Sequence, residues 1–146
     1  MSNASAWLAT SLLNHYFRNT PTTPPPQLFL ALYISSPTVD DVGTEIQGGG
    51  YARQRIAFSA PVRVDENTQI SNSAEIRFPV ATADWGNISH FAIRTAATGG
   101  NMLAFTSVLI PKVIENGDEA KFIVGSINVR IVGNSIVTSG GNLIVN

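Results

Sequence analysis

The first periodic pattern in the chain is helical and covers residues 5–18. Apolar residues recur there on one stripe of an amphipathic helix, namely Leu8, Leu12, Leu13, Tyr16 and Phe17. Ser5 is suited to cap this helix, because a serine side chain accepts a hydrogen bond from a free N–H of the first turn. Three consecutive prolines at residues 24–26 lack backbone donors and predict a stiff spacer. Residues 1–26 are therefore predicted to be a helical arm and proline spacer.

Beyond the spacer the hydrophobic period changes to two, which indicates an all-β body over residues 27–132. Segment 27–34 is apolar on both faces, as expected of a strand covered twice, and the helix or a neighbouring subunit is the expected second cover. Segments 74–80 and 127–131 alternate apolar with polar residues and predict half-buried strands. Less regular strands are predicted at 52–58, 87–94, 102–109 and 120–124.

Segments rich in glycine and asparagine separate these strands and are typical of turns; they lie at 48–50, 98–101, 116–118, 133–134 and 140–142. Short strands at this spacing favour a β-sandwich or jelly roll of about seven or eight strands. The last segments, 135–138 and 143–146, are too short for a stable hairpin of their own. We predict that they are strands donated to another sheet edge, within a C-terminal extension over residues 133–146.

The charge content restricts the classes of function. Charged residues make up 13% of the 146 residues, against about 25% in an ordinary soluble domain, so the surface is expected to suit burial against partners. The net charge of -1 provides no basic footprint, so no nucleic acid is expected as a partner. No apolar run approaches the roughly 18 residues that span a bilayer, and no basic signal segment precedes the helix. No membrane partner is expected, and the protein is expected to be made in the cytoplasm.

The same composition leaves little for catalysis. The chain has no cysteine and two histidines, so no thiolate nucleophile, Cys-ligated zinc or His-rich metal site is expected. Asp40, Asp41 and Glu45 form an acidic loop, which we interpret as a solvated turn; a calcium site is the alternative, although the calcium-loop pattern is absent. His15 and His90 have no nucleophile motif beside them. We therefore predict no catalytic residue, no metal and no cofactor.

Three further features have both a structural and a functional interpretation. Segment 48–51 is interpreted as a loop that needs positive φ, because a strand follows it where a phosphate-binding loop would have a helix. Arg53 and Arg55 share one face of a predicted strand, and we place them at a subunit interface; binding of an anionic partner is the alternative. Trp85, which precedes Gly86, is interpreted as a core anchor, with stacking on a sugar as the alternative.

Three stretches in a fixed order carry a resemblance to a known family. The first is LALY with SPT at residues 30–38, the second GTEI with GGYARQ at 43–54, and the third ATADWG through AATGGNML at 81–103. Together they resemble small virion structural proteins of tailed bacteriophages and prophages, the tail-fibre or minor tail proteins. The resemblance covers roughly residues 5–131. Arg94 departs from it, since an acidic or neutral residue is expected there.

The resemblance implies a β-sandwich building block without catalytic activity that assembles as a homo-oligomer on the phage particle. No active-site residue is transferred. Its characteristic residues are expected to be structural: Gly50 and Tyr51 enter a strand, Trp85 and Gly86 start one, and Gly99 with Gly100 forms a hairpin turn.

The leading hypothesis is a phage virion structural protein that forms oligomers, most simply trimers, in the tail or its fibres with other phage structural proteins. The alternatives are a capsid decoration or cement protein, and a carbohydrate- or host-receptor-binding module using Trp85, Tyr51 and the loop arginines. An enzyme is the least favoured class. The residues expected at interfaces are Leu8, Leu12, Tyr16, Phe17, Arg53, Arg55, Leu143 and Val145.

Overall fold

An N-terminal helix precedes a body of antiparallel strands in the computed structural model, which describes residues 3–132 and 135–146. The helix is α1 (Ala6–Phe17). The strands of the described residues are β1 (Asn3–Ala4), β2 (Leu28–Tyr33), β3 (Gln54–Ile56), β4 (Val62–Val64), β5 (Asn67–Ser71), β6 (Ile76–Arg77), β7 (Gly86–Arg94), β8 (Met102–Ile114), β9 (Ala120–Phe122), β10 (Ile127–Val132), β11 (Ser135–Gly140) and β12 (Ile144–Val145). The predicted all-β fold with an N-terminal helix is confirmed.

These strands form three sheets where the sequence predicted two. A five-stranded sheet has the order β1-β8-β7-β2-β3, a four-stranded sheet β11-β10-β5-β4, and a three-stranded sheet β12-β9-β6. The main core contains residues of all three, including Leu30 and Leu32 of β2, Phe122 of β9 and Ile127 of β10. The ring of Phe91 lies 5.7 Å from that of Phe122, so the five-stranded and three-stranded sheets meet through aromatic contact.

Strand β2 is covered on both faces by its own chain. Leu30 and Leu32 belong to the main core, whereas Ala31 and Tyr33 point to the opposite face and belong to a second cluster with Phe105. Because Tyr33 is only 2% exposed, no neighbouring subunit is needed to bury this strand. The face that carries Tyr33 is therefore buried within its own chain, where the sequence left the helix or a neighbouring subunit as the second cover.

The N-terminal segment is attached to the five-stranded sheet beside that second cluster. The Ser5 N–H donates to the carbonyl of Leu103 in β8, and the Ala6 N–H donates to that of Val39 in the loop after β2. Ser5 also caps the helix as predicted, since its Oγ accepts from the Leu8 N–H at 3.0 Å. These bonds hold the first turn, yet no residue of α1 is buried.

The C-terminal strands pair within their own chain. β11 is antiparallel to β10 from the Ile127–Gly140 pair to the Val132–Ser135 pair, and β12 is antiparallel to β9. As predicted, both strands lie at sheet edges, and β10 and β9 of the same chain supply their partners. Leu143, expected at an interface, is instead 1% exposed in the core. The turn predicted at 133–134 lies outside the described residues.

The turn at 140–141 depends on glycine for steric reasons. Gly141 has φ 78°, and a Cβ on it would overlap the ring of Phe91. Only glycine combines this left-handed conformation with so close an approach to a core side chain. The turn between β11 and β12 is thereby fixed against the main core.

Two strands were missed in the sequence because their side chains are mostly polar. β4 and β5 form a hairpin with register pairs Val62–Gln69 and Val64–Asn67. All three residues of β4 are exposed and all five of β5 are half-buried. These strands form through backbone pairing, of β4 with β5 and of β5 with β10, and their sequences show no strong apolar alternation.

Asn72 joins three parts of the body and is only 2% exposed. Its Nδ2 donates to the carbonyls of Ala74 and Ile123, and its Oδ1 accepts from the Ile127 N–H at 2.8 Å. The side chain thus satisfies three backbone groups where the four-stranded sheet meets the core. Burial of such groups without partners is unfavourable.

Asn72→Ala should lower the free energy of unfolding by about 2–4 kcal/mol, because it leaves three backbone groups near the core without their side-chain partner. Urea unfolding at neutral pH measures the change. Ser73→Ala is the matched control, since Ser73 is exposed and its Oγ makes one hydrogen bond to the Ala57 carbonyl. A loss for Asn72→Ala no larger than for Ser73→Ala would contradict the proposed role.

Candidate functional site

Two loops meet at one end of the five-stranded sheet and bring together most of the residues singled out in the sequence. One loop joins β2 to β3, and the other is the hairpin connection between β7 and β8. The first loop contributes Glu45, Tyr51 and Arg53, and the second contributes backbone carbonyls. Polar contacts between the loops replace the strand pairing that ends here.

Arg53 is the first link between these loops. Its Nη2 and Nε donate to Glu45 Oε1 and Oε2, both at 2.8 Å, and its Nη1 donates to the carbonyls of Ala96 and Gly99. The Arg53 side chain is 9% exposed. This fork-shaped, doubly paired contact suits a guanidinium and no other side chain. The Arg53 guanidinium is thus occupied within its own chain, and its place at a subunit interface stays a prediction.

Arg94 is the second link and lies at the end of β7. Its Nη1 donates to the Tyr33 hydroxyl at 2.9 Å and to Asp41 Oδ1 at 2.6 Å, while its Nη2 donates to the Gly100 carbonyl. The Arg94 side chain is 8% exposed. Arg94 therefore fastens the loop containing Asp41 beside the second cluster.

The charges of the two links balance within the site. Burial alone would raise the pKa of Glu45, but the hydrogen bonds from Arg53 and Tyr51 outweigh it and hold that pKa below its ordinary value of 4.5. Burial would also lower the pKa of Arg94, yet the contacts with Asp41 and Tyr33 raise it. Each arginine thus stays charged beside a carboxylate. We name this group of Tyr33, Asp41, Glu45, Tyr51, Arg53 and Arg94 the loop clamp.

Tyr51 connects the loop clamp to the core. Its hydroxyl donates to Glu45 Oε2 at 2.6 Å and accepts from the Leu32 N–H of β2. Its ring packs edge-on against Trp85, with 5.5 Å between the centroids. Burial, followed by the hydrogen bond to Glu45, raises the pKa of Tyr51. The hydroxyl is therefore a fixed structural donor.

Trp85 lies beneath the glycine-rich loop, just before β7. It is 6% exposed, and its indole N–H donates to the Gly49 carbonyl at 2.8 Å. Gly49 has φ 60°, and a Cβ there would collide with the indole. Because the indole is covered by its own chain, it has no face free to stack on a sugar.

The remaining glycines expected to be structural lie around the same loops. Gly50 follows Gly49 and has φ 79°, Gly86 starts β7, and Gly99 and Gly100 both have positive φ in the β7–β8 connection. The carbonyls of Gly99 and Gly100 accept from Arg53 and Arg94 respectively. Positions that stood out as turn signals in the sequence thus belong to one connected assembly.

Two open clefts flank the loop clamp, with volumes of about 350 and 450 Å³. The larger is polar and is lined by Tyr33, Asp41, Glu45, Arg53 and Arg94, among others. The four charged side chains already pair with one another, so little charge is left for a ligand. The arrangement is suited to holding loops.

The described residues offer no grouping of three His, Cys, Asp or Glu that could hold a metal ion. The acidic loop is divided between two arginines, because Asp41 pairs with Arg94 and Glu45 with Arg53. His90 Nδ1 lies 2.8 Å from Ser89 Oγ, and within the described ranges no carboxylate bonds to that histidine. Nor does any helix within those ranges have the length and hydropathy to cross a bilayer.

The other residues expected at interfaces are spread over the surface. Leu8 and Leu12 are half-buried, Tyr16 and Phe17 are 73% and 82% exposed, Arg55 is exposed and Val145 is half-buried. Helix α1 thus carries the largest exposed aromatic side chains of the described residues. The loop clamp and α1 are separate features, and the second is the one that leaves apolar surface uncovered.

A family model described as Podophage GP4 fiber I protein gp80 matches residues 3–130. The chain belongs to this family. The predicted resemblance to phage tail-fibre proteins is confirmed, and the protein is a structural component of a podophage fibre. No match was found among curated proteins.

Within the podophage fibre family, the matched residues include the whole loop clamp, Trp85 and helix α1. The match ends inside β10, so β11 and β12 lie beyond it. The stretches that carried the resemblance are the ones that the loop clamp fastens together. Their charged side chains pair with one another within the chain.

Glu45→Gln should destabilise the fold at pH 7 by about 1–3 kcal/mol, since a charged acceptor of three hydrogen bonds becomes neutral. A lowered pKa in the folded state gives stability above the ordinary carboxyl pKa, and that stability is lost as pH falls through the folded value. The difference from the unaltered chain should therefore shrink below about pH 4.5. Urea unfolding at pH 7 and pH 3 measures it.

Glu66→Gln is the matched control for that experiment. Glu66 is exposed in the turn between β4 and β5, and it takes no part in the loop clamp. This variant should change stability little at either pH. An equal effect of Glu45→Gln at both pH values would rule out the ionised contact as its cause.

Proposed function

We propose that this podophage fibre protein is a non-enzymatic structural subunit that works as a homo-oligomer, a trimer in the simplest case, with α1 as its attachment arm. The observation that carries the proposal is the exposure of the helix. No residue of α1 is buried in its own chain, while Tyr16 and Phe17 at its C-terminal end are 73% and 82% exposed. Apolar surface of this kind is typical of a contact with another chain.

The length of α1 supports the same proposal. A helix of 12 residues is marginally stable in water, and most helical stability in proteins comes from packing of an apolar face. Here local hydrogen bonds hold the two ends: Ser5 caps the first turn, and the Thr22 N–H donates to His15 Nδ1 in the last turn. A partner that covers the outer stripe supplies the packing that the chain itself does not.

The loop clamp supports a structural role for the body. It uses Arg53 and Arg94 to close the loop end of the five-stranded sheet, and both guanidinium groups are occupied internally. A subunit built in this way presents fixed loops without a free reactive group among the clamp residues. We therefore place its function in assembly with other virion proteins.

The mass of the full chain in solution tests the oligomer. Light scattering at micromolar concentration should give about three times the chain mass of 15.6 kDa, because exposed apolar helices associate. A mass of one chain at all concentrations would remove the homo-oligomer from the proposal. A mass of two chains would replace the trimer with a dimer.

The position of the protein on phage particles tests the structural role separately. Antibody labelling viewed by electron microscopy should mark the fibres of intact particles. Labelling of the capsid surface, with bare fibres, would favour the decoration protein and contradict a fibre subunit. Particles lacking the protein serve as the control for specific labelling.

A further inference from the structure

An apolar groove runs between α1 and β11. It has a volume of about 290 Å³ and is lined by Ala4, Ala9, Leu12, Leu13 and Ile136. No charged or hydrogen-bonding side chain is among these residues. The groove therefore suits an apolar occupant.

The apolar surface continues beyond both sides of this groove. On the sheet side, Ile131 lies opposite Ile136 in the β10–β11 register and is 56% exposed. Directly opposed residues of antiparallel strands share a face, so both isoleucines lie on the same side of the sheet, along one wall of the groove. On the helix side, Leu13 is 58% exposed and Phe17 lies one turn further along α1.

Phe17 is the most exposed large apolar side chain of the described residues, at 82%. Its own helix does not cover it. Leu13 and Phe17 share one helix face, because they are four residues apart, and Leu13 is itself exposed on that face. The groove has space for such a ring, since an apolar cavity of about 150 Å³ accommodates benzene. One chain thus carries both the groove and a protruding side chain that fits it, the Phe17 ring, which we call the ridge.

We propose that the α1–β11 groove binds a second copy of this chain, whose Phe17 ring enters it beside Leu13 and Ile136. The proposal rests on the proposed homo-oligomer and identifies the surface that forms it. Every copy carries both a ridge and a groove, so the contact repeats from copy to copy and closes into a ring when the rotation allows it.

The available apolar area fits this occupant. The exposed parts of Leu13, Tyr16, Phe17 and Ile131 add up to roughly 300–500 Å² by the usual side-chain areas. A standard interface buries about 800 Å² on each partner, of which about 65% is apolar in homodimers. The patch thus supplies more than half of the apolar area that a stable contact between copies needs.

Substitution of the ridge tests the contact. Phe17→Gln removes the ring but keeps a good helix former, so the oligomer should dissociate at concentrations at least about tenfold higher than for the unaltered chain. Val124→Gln is the matched control, because Val124 is 59% exposed and lies outside the groove. Circular dichroism verifies that both variants keep the fold.

Cross-linking tests which residues meet. The chain has no cysteine, so single cysteines are placed beside the contact on two co-expressed copies with different tags. Arg18→Cys, next to Phe17, is on one copy, and Ala9→Cys, on the exposed wall of the groove, is on the other. A short thiol-reactive bifunctional cross-linker should join unlike chains. Arg18→Cys paired with Val124→Cys is the control and should give no product above background.

The outcomes separate this inference from the proposed function. An oligomer that is unaffected by Phe17→Gln or gives no product between Arg18→Cys and Ala9→Cys overturns the groove contact and leaves the homo-oligomer standing. Cross-links between two copies that both carry Arg18→Cys also overturn it, because the helix ends then meet each other. An unaltered chain that stays monomeric overturns both proposals.

Discussion

The structure depends on the burial of strand β2 on both of its faces. One face, with Leu30 and Leu32, is covered by the main core, as a sheet ordinarily is. The other, with Ala31 and Tyr33, requires a second cover, and the chain supplies it locally. The loop after β2 is bonded to the start of the helix through Val39, and the Arg94–Asp41 contact holds the same loop from the other side. The contacts of the loop clamp and of the first turn of α1 both hold the loop that follows β2.

The features that depend on local periodicity were predictable from the sequence. The amphipathic stripe and Ser5 gave the helix and its cap, and the period of two gave the all-β class. The same reasoning failed at β4 and β5, where polar side chains form strands because β10 offers a backbone to pair with. It placed β11 and β12 at sheet edges, but it did not identify which edges, since the length of a segment does not determine which strand it pairs with.

The loop clamp shows why residue types alone did not reveal the site. Arg53 and Glu45 are eight residues apart and were read separately, as an interface residue and part of an acidic turn, although they form one ion pair. Arg94 and Asp41 are 53 positions apart, and no short-range pattern relates them. A signal was present in the stretches that carried the resemblance, because they contain the glycines, Tyr51 and Trp85 together. Their connection appears only in the structure, where Tyr51 bonds to Glu45 through its hydroxyl and packs its ring against Trp85.

The four-stranded sheet gives the molecule an uneven distribution of rigidity. Its strands β4 and β5 are exposed or half-buried, and the sheet meets the core at Ile127 and at the three hydrogen bonds of Asn72. Segments with few buried apolar contacts open at a lower free energy than the global unfolding transition. Amide hydrogens of β4 and β5 therefore exchange with solvent before those of β2. In a fibre, we expect these two strands to open under load before the core strand β2 does.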